Sequence, residues 1–497
     1  MFEPKRLHPV AVLSSILQTL KEAIIPLVVL LFLGGSSGKG IQLIIFSVIC
    51  FFLIVFSVLS WIRLTYWVEN GELRIESGVF VRKKRYIRFE RIHSIDVSEG
   101  ILQRIFGLAQ LKVETAGSNG GKPEAELTAI TKRESNEIIS IFNEVKKAGK
   151  RKLESDCVNE AVTGKELTKV EETDIDSASV VFKQTFPQLF LMAATSGGVG
   201  VVLSGAVAFL AQFDELIPFK KISAEAERFI QSGILLIILT VFLLFILAYL
   251  VATARIVLIY AYFTVKKVEE ELIISRGLLE KRQLTIPLKK IQGIRIAENL
   301  IRQPLGYASV YLEYAGGSAS DKDTVNTLLF PLVKKEQLKE KINQFVPGYE
   351  LQTELKGLPK RSYVRYFFRQ LFIIIPIVVA TSWILWPWGL VSFVLIPLAA
   401  IWAYLKFREV GWNISGNQLQ LRTRIVSKQT YIFQKNRLQV FDRRVSYFQS
   451  RKQLSTIAAT VKSGAGPREG KVVDLEQKDA EFMNDWFSYS EFKKSEG

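Results

Sequence analysis

The chain has 497 residues, enough for several domains, and 65 basic against 48 acidic residues leave a formal net charge of +17. Yet 49% of residues are apolar and the mean hydropathy is +0.21, which argues against a soluble nucleic-acid binder and for a polytopic membrane protein with its basic residues held on one side of the bilayer. Two cysteines, Cys50 and Cys157, and two histidines, His8 and His93, supply neither a disulfide framework nor a cysteine-rich metal site, and leave acid–base chemistry poorly equipped.

Crossing the hydrocarbon core takes about 20 mostly apolar helical residues. The first such window is Ala23 to Gly34, extended backward over Ala11 to Leu20 and interrupted by Lys21, Glu22 and Pro26; the second is Ile41 to Ile62. The apolar segment comes late, no small-residue cleavage site follows and a second span begins at once, so this is not expected to be a signal peptide. Residues 1–62 read as the first transmembrane hairpin.

Residues 63–148 read as a polar, β-rich domain. Asn70-Gly71 lies between two short alternating runs in Trp67 to Ile75, the strongest local cue for a hairpin. Further strands are expected around Arg85 to Phe89, Ser94 to Val97 and Leu111 to Thr115. A helix from Glu134 to Lys147 follows, with Ile138, Ile141, Phe142 and Val145 on one side. The basic run Arg82, Lys83, Lys84, Arg85, continued by Arg88, is a candidate contact with lipid or a partner. Near anionic headgroups each such residue contributes roughly 1 kcal/mol; the alternative is that the run keeps this segment inside during insertion. In a strand only alternate side chains share a face.

Residues 149–180 form a polar linker, and residues 181–256 a second hairpin with spans Phe186 to Phe213 and Phe229 to Ala254. In the former, Ser196, Gly200, Ser204 and Ala208 recur every four residues, a stripe that lets helix backbones approach and marks a candidate packing face. Gly197, Gly198 and Gly205 would alternatively suit an unwound transporter site, but no ionisable residue lies in spans two to six as drawn.

Residues 257–348 repeat the first domain. A gap-free shift of 199 positions brings Gly78, Gly107 and Gly117 onto Gly277, Gly306 and Gly316, and Ile92, Glu99 and Glu114 onto Ile291, Glu298 and Glu313. The closing helix is expected over Pro331 to Val346, with proline in its first turn. Residues 349–406 hold a linker and a third hairpin, spans Leu371 to Trp386 and Trp388 to Leu405. Residues 407–490 form a third, diverged repeat, in which Leu419, Leu421, Arg437, Leu438 and Gln439 fall where Leu272, Ile274, Lys290, Ile291 and Gln292 would place them. It lacks the paired glycines, and its helix is expected over Asp474 to Ser488. Lys and Arg gather at the ends of the spans away from the hairpin connections, so both termini and all three polar domains should face the cytoplasm.

The block from Gly277 through Leu284-Thr285-Ile286-Pro287-Leu288-Lys289-Lys290-Ile291-Gln292 to Leu305-Gly306 resembles the bacterial pleckstrin-homology (PH) domain. The whole chain resembles the large, three-repeat member of the paired membrane proteins that carry it. Arg88 and His93 in the first repeat, and Gln434 in the third, depart from that motif. The fold expected is an α+β polytopic membrane protein, three transmembrane hairpins each followed by a small PH-like β-barrel or sandwich capped by a C-terminal helix. The resemblance implies a non-catalytic module without a cofactor. The expected function is that of a scaffold or accessory subunit in envelope homeostasis or stress tolerance, with a transporter or lipid-handling protein as the alternative. The expected partners are anionic inner-leaflet lipids and a related shorter PH-like membrane protein or a second copy of the chain, and no nucleic acid.

Overall fold

The computed structural model describes residues 3–17, 39–115, 124–142, 144–145, 180–196, 234–314, 327–384, 386, 388–463 and 466–488. Among these, four helical segments are long and apolar enough to cross a membrane: Phe46–Arg63, Phe242–Tyr260, Arg361–Ile384 and Gly389–Glu409. Their large apolar side chains, Phe51, Phe52, Phe242, Leu243, Phe372 and Ile401 among them, stand exposed, as lipid-facing residues must. Two of these helices, Arg361–Ile384 and Leu395–Glu409, pack as a hairpin through edge-to-face contacts of Tyr363 with Tyr404 and Phe407. Of the other two expected spans, only residues 11–17 and 186–196, the latter holding the helix Phe186–Ala194, are described; the rest, with most of the 149–180 linker, lies outside the described residues.

Three strand sets follow one plan. The first repeat has β2 (Thr65–Glu69), β3 (Glu72–Ser77) and β4 (Lys83–Arg88), a 3-10 turn Phe89–Arg91, then β5 (Ile92–Glu99), β6 (Leu108–Thr115) and β7 (Ala125–Thr131). The second has β9 (Thr264–Val268), β10 (Glu271–Arg276), β11 (Lys281–Pro287), the turn Leu288–Lys290, β12 (Ile291–Glu298), β13 (Tyr307–Tyr314) and β14 (Thr327–Lys334). The third has β16 (Gly411–Ser415), β17 (Gln418–Arg424), β18 (Lys428–Gln434), the turn Lys435–Arg437, β19 (Leu438–Arg444), β20 (Leu454–Ser463) and β21 (Gly466–Glu476). A short leading strand precedes each: β1 (Lys5–Arg6), β8 (Val180–Lys183) and β15 (Lys356–Gly357). The closing helices of the second and third repeats are Lys335–Phe345 and Gln477–Phe487.

Local chemistry explains the shared plan. Asn70 and Gly71 both adopt positive φ, 53° and 73°, as the tight β2–β3 turn requires. Gly78 and Gly277 are left-handed, and a Cβ there would stand 2.0 and 1.8 Å from the carbonyl oxygens of Val81 and Glu280, so only glycine fits. Gly107 and Gly306 are left-handed at 67° and 72°, and the third repeat keeps that conformation with Gln453, at φ 50°. The core of the first repeat gathers Leu73, Ile87, Phe89, Leu111, Leu127 and Phe142; that of the third gathers Leu419, Leu421, Phe433, Ile457, Val472 and Met483.

Two expected helix starts move. Pro331 lies inside buried β14, where register shifts against β13 accommodate its missing N–H, and the helix begins at Lys335. Asp474 lies in β21 at φ 61°, and the last helix begins at Gln477.

The strands form four sheets, ordered β1-β2-β3-β4, β7-β6-β5-β11-β10-β9-β8, β14-β13-β12-β18-β17-β16-β15 and β19-β20-β21. Successive repeats therefore share sheets, β5 pairing antiparallel with β11 and β12 with β18. By internal contacts the chain divides into two units, Met1–Ala116 with Pro123–Lys266 and Ile273–Thr285, and Gly117–Lys122 with Lys267–Leu272 and Ile286–Gly497. The paired residues of the β5–β11 joint lie in the first unit and those of the β12–β18 joint in the second.

Candidate functional site

The two joints use one register. Along β5 and β11, Glu99 stands opposite Lys281, Ser98 opposite Arg282 and Val97 opposite Gln283. Along β12 and β18, Glu298 stands opposite Lys428, Ala297 opposite Gln429 and Ile296 opposite Thr430. Glu99 and Glu298 are equivalent, and so are Lys281 and Lys428. In the second joint Lys428 Nζ lies 3.5 Å from Glu298 and 2.9 Å from Glu409. Each acid also meets a lysine at the start of its own repeat's closing helix: Lys132 Nζ is 2.8 Å from Glu99, and Lys335 Nζ 2.7 Å from Glu298. An acid placed opposite a base at the end of a strand pair favours one register over its neighbours.

The strand equivalent to β11 and β18 in the first repeat is β4, which carries the basic run. It is an edge strand among the described residues, and all of it is exposed except Ile87, which points into the core. Alternation divides the run. Lys83 and Arg85 share the side of Ile87, and the Arg85 guanidinium donates to the Glu124 carbonyl at 2.5 Å. Lys84, Tyr86 and Arg88 lie on the other side, directly across from Glu76, Arg74 and Glu72 of β3. Lys84 pairs with Glu76 at 3.0 Å and Arg88 with Glu72 at 3.3 Å, while Arg74 sits 5.3 Å over the Tyr86 ring. Arg82, just before the strand, also pairs with Glu76. Hydrogen bonds from Lys84 and Arg82 hold the Glu76 carboxyl below the usual carboxylate range. The outer face is thus a ladder of matched charges, and the outer backbone edge of β4 has no strand partner among the described residues.

Two buried acids serve as structural pins. Glu313 accepts from Arg295 Nε at 3.1 Å, Ser463 Oγ at 2.9 Å and Arg468 Nε at 3.3 Å. Asp474 accepts from Arg365, Arg369 and Gln449. A buried carboxylate so surrounded by cations and donors holds elements together. No group of three or more His, Cys, Asp or Glu able to hold a metal occurs among the described residues.

Of the small-residue stripe, Ser196 is described, its hydroxyl donating to the Ala193 carbonyl at 2.8 Å; Gly200, Ser204 and Ala208 lie outside the described residues. The feature that reading the sequence missed is the joint. Its signal was present: Glu99 and Glu298 coincide in the repeat register, and Arg82, Lys281 and Lys428 put a base at one shared position.

The family model for the bacterial PH domain matches the chain over residues 17–146, 209–345 and 369–491. A Bacillus subtilis (strain 168) protein described as UPF0699 transmembrane protein YdbT is 37% identical over 502 residues, covering 98% of this chain and 99% of its own length. No solved structure matches. The chain belongs to the bacterial PH domain family.

Proposed function

We propose that this bacterial PH domain protein is a non-catalytic membrane scaffold or accessory subunit that presents its three PH-like repeats as interaction modules in envelope homeostasis or stress tolerance. The observation that supports this reading is the joint used twice within the chain, in which one repeat takes the edge strand of another in a fixed register. A module that binds its own kind through backbone edges is equipped for protein contact. The pins at Glu313 and Asp474 are matched by cations and amides in the manner of structural acids.

In this reading the chain crosses the membrane six times as three hairpins, its termini and all three repeats are cytoplasmic, and its spans contact lipid. The basic residues of β4 serve as a partner contact, and Ser196, Gly200, Ser204 and Ala208 pack helices together. Two measurements test it. Single cysteines replacing Lys84, Lys339 and Lys452 should be labelled in inverted vesicles and protected in intact cells; labelling from outside would refute the topology. Crosslinking of native membranes followed by quantitative mass spectrometry should return a stoichiometric protein neighbour, and the lack of one would refute the scaffold.

A further inference from the structure

Each repeat has an acceptor edge, on β4, β11 or β18, and a donor strand, β5, β12 or β19. Within the chain β5 fills the edge of β11 and β12 fills the edge of β18. That leaves, among the described residues, β4 as an acceptor without a donor and β19 as a donor without an acceptor. We propose that the edge of β4 is a strand-addition site for the donor strand of a PH-like repeat on a different chain, held antiparallel with an acidic residue opposite Arg82. The proposal rests on the scaffold reading and names the partner and the place.

Four observations carry it. First, equivalence is close: Ile87, Ile286 and Phe433 are the buried residues at one position of the three acceptor strands, and the turns that follow make the same hydrogen bond, from the N–H groups of Phe89, Leu288 and Lys435 to the carbonyls of Gly71, Glu270 and Asn417. Second, those bonds fix the phase of the strand. With the N–H of Phe89 turned toward β3, alternation turns the N–H groups of Lys84, Tyr86 and Arg88 to the outer edge. Third, β4 is exposed where its filled counterpart β18 is largely buried.

The fourth is charge. In both filled joints the donor's glutamate faces the acceptor's lysine, Glu99 on Lys281 and Glu298 on Lys428. The residue of the first repeat at that position is Arg82, so the donor it fits ends in an acid. The chain's own β19 does not qualify. In the shared register it would set Val445 opposite Arg82, Arg444 opposite Lys83, Arg443 opposite Lys84 and Asp442 opposite Arg85. Two like-charged pairs against one opposite pair leave the ladder net repulsive, and β19 has no acid at the position of Glu99 and Glu298. A second copy is thereby disfavoured and a different chain favoured.

The test places a benzophenone side chain, p-benzoylphenylalanine, at Tyr86 of the full-length protein in native membranes and maps the photo-adduct by mass spectrometry, with a second chain carrying a distinct tag in the same cells. The expected adduct lies on the strand after the 3-10 turn of a PH-like repeat in another protein. Arg82→Glu should lower its yield by about threefold, and reversing the facing acid to lysine in that protein should restore it. Lys84→Pro, which removes an outward N–H, spares the backbone bonds to β3 and gives up only the side-chain pair with Glu76, should abolish it. An adduct on β19 of the tagged second copy, on lipid or on an unrelated segment overturns the proposal. So does the absence of any adduct: where crosslinking elsewhere on the chain still yields a stoichiometric neighbour, the scaffold stands and this site falls, and where no neighbour is found by any route both fall.

Discussion

Arg365 Nε lies 2.8 Å from Oδ1 of Asp474, a carboxylate with no exposed side-chain surface. Arg365 belongs to the membrane-type helix Arg361–Ile384 and Asp474 to β21, so the pair fastens a span to the third repeat. Arg369 adds a second contact at 2.7 Å. Ser362 Oγ donates to the Asp474 carbonyl at 2.7 Å, and the Tyr366 hydroxyl to the Val473 carbonyl at 3.1 Å.

Removing the acid alone leaves two partly exposed arginines and the buried Gln449 amide without their common acceptor. Asp474→Ala should cost about 3–5 kcal/mol. Arg369→Gln, at the partly exposed side of the cluster, should cost no more than about 1 kcal/mol. Thermal unfolding of the detergent-solubilised protein, with limited proteolysis between β21 and the helix Gln477–Phe487 as a local readout, measures both.

Gln453 holds the left-handed conformation that Gly107 and Gly306 hold in the other repeats, and its backbone carbonyl accepts from the Gln477 N–H at 3.0 Å. Relief of strain and loss of chain entropy oppose each other at such a site. Gln453→Gly should therefore be neutral or stabilising by up to about 1 kcal/mol, and Gly306→Gln destabilising by about 1–3 kcal/mol. Urea midpoints of the two variants decide this.

The β12–β18 joint predicts energetic coupling across it. Lys428 has a side chain only 13% exposed and faces Glu298, itself 9% exposed. A double-mutant cycle of Lys428→Met and Glu298→Gln should give a coupling of at least about 1 kcal/mol, while Lys428→Glu, facing Glu298 and Glu409, should loosen the joint enough to raise hydrogen exchange in β18. Additive single effects would show that the register does not depend on this pair.

Glu134 ties the leading strand to the first repeat. Lys5 Nζ lies 3.0 Å away, Thr131 donates to it through N–H and hydroxyl, and the Tyr66 hydroxyl stands 3.2 Å off. Burial pushes this carboxyl up, but the bonds from Lys5 and Thr131 outweigh it and leave the group below the usual carboxylate range. Burial, with the nearby charge of Glu134, holds the Tyr66 phenol above its ordinary range. The signs follow by linkage. The carboxylate's contribution is present above its unfolded value and is lost as pH falls through the lower folded one; the phenol's is present below its unfolded value and is lost as pH rises toward the folded one. Glu134→Gln should flatten the acid limb of the stability profile, from the ordinary carboxylate range downward, and leave the neutral region displaced but level.

Much of the fold was written locally. Asn70-Gly71 announced its hairpin, the glycine pairs announced the repeat, and apolar periodicity announced the closing helices, because each signal acts within a few residues. Pro331 and Asp474 misled for the same reason. Each resembles a helix start to its neighbours, and what keeps them in strands lies far along the chain: the irregular pairing of β14 with β13, and two arginines on a membrane-type helix. Gln453 hid its left-handed turn because only glycine advertises one. The basic run Arg82 to Arg88 was legible as a feature but not as an edge, since which strand ends a sheet depends on pairings with other repeats.

Sharing sheets between neighbours also shapes how such a protein can change over time. The middle repeat covers β5 with β11 and covers β18 with β12. Because both joints use one register, cutting that repeat out cleanly, as a deletion in the gene would, leaves Glu99 of β5 to face Lys428 of β18, so the number of repeats in such an array can change without baring a new edge.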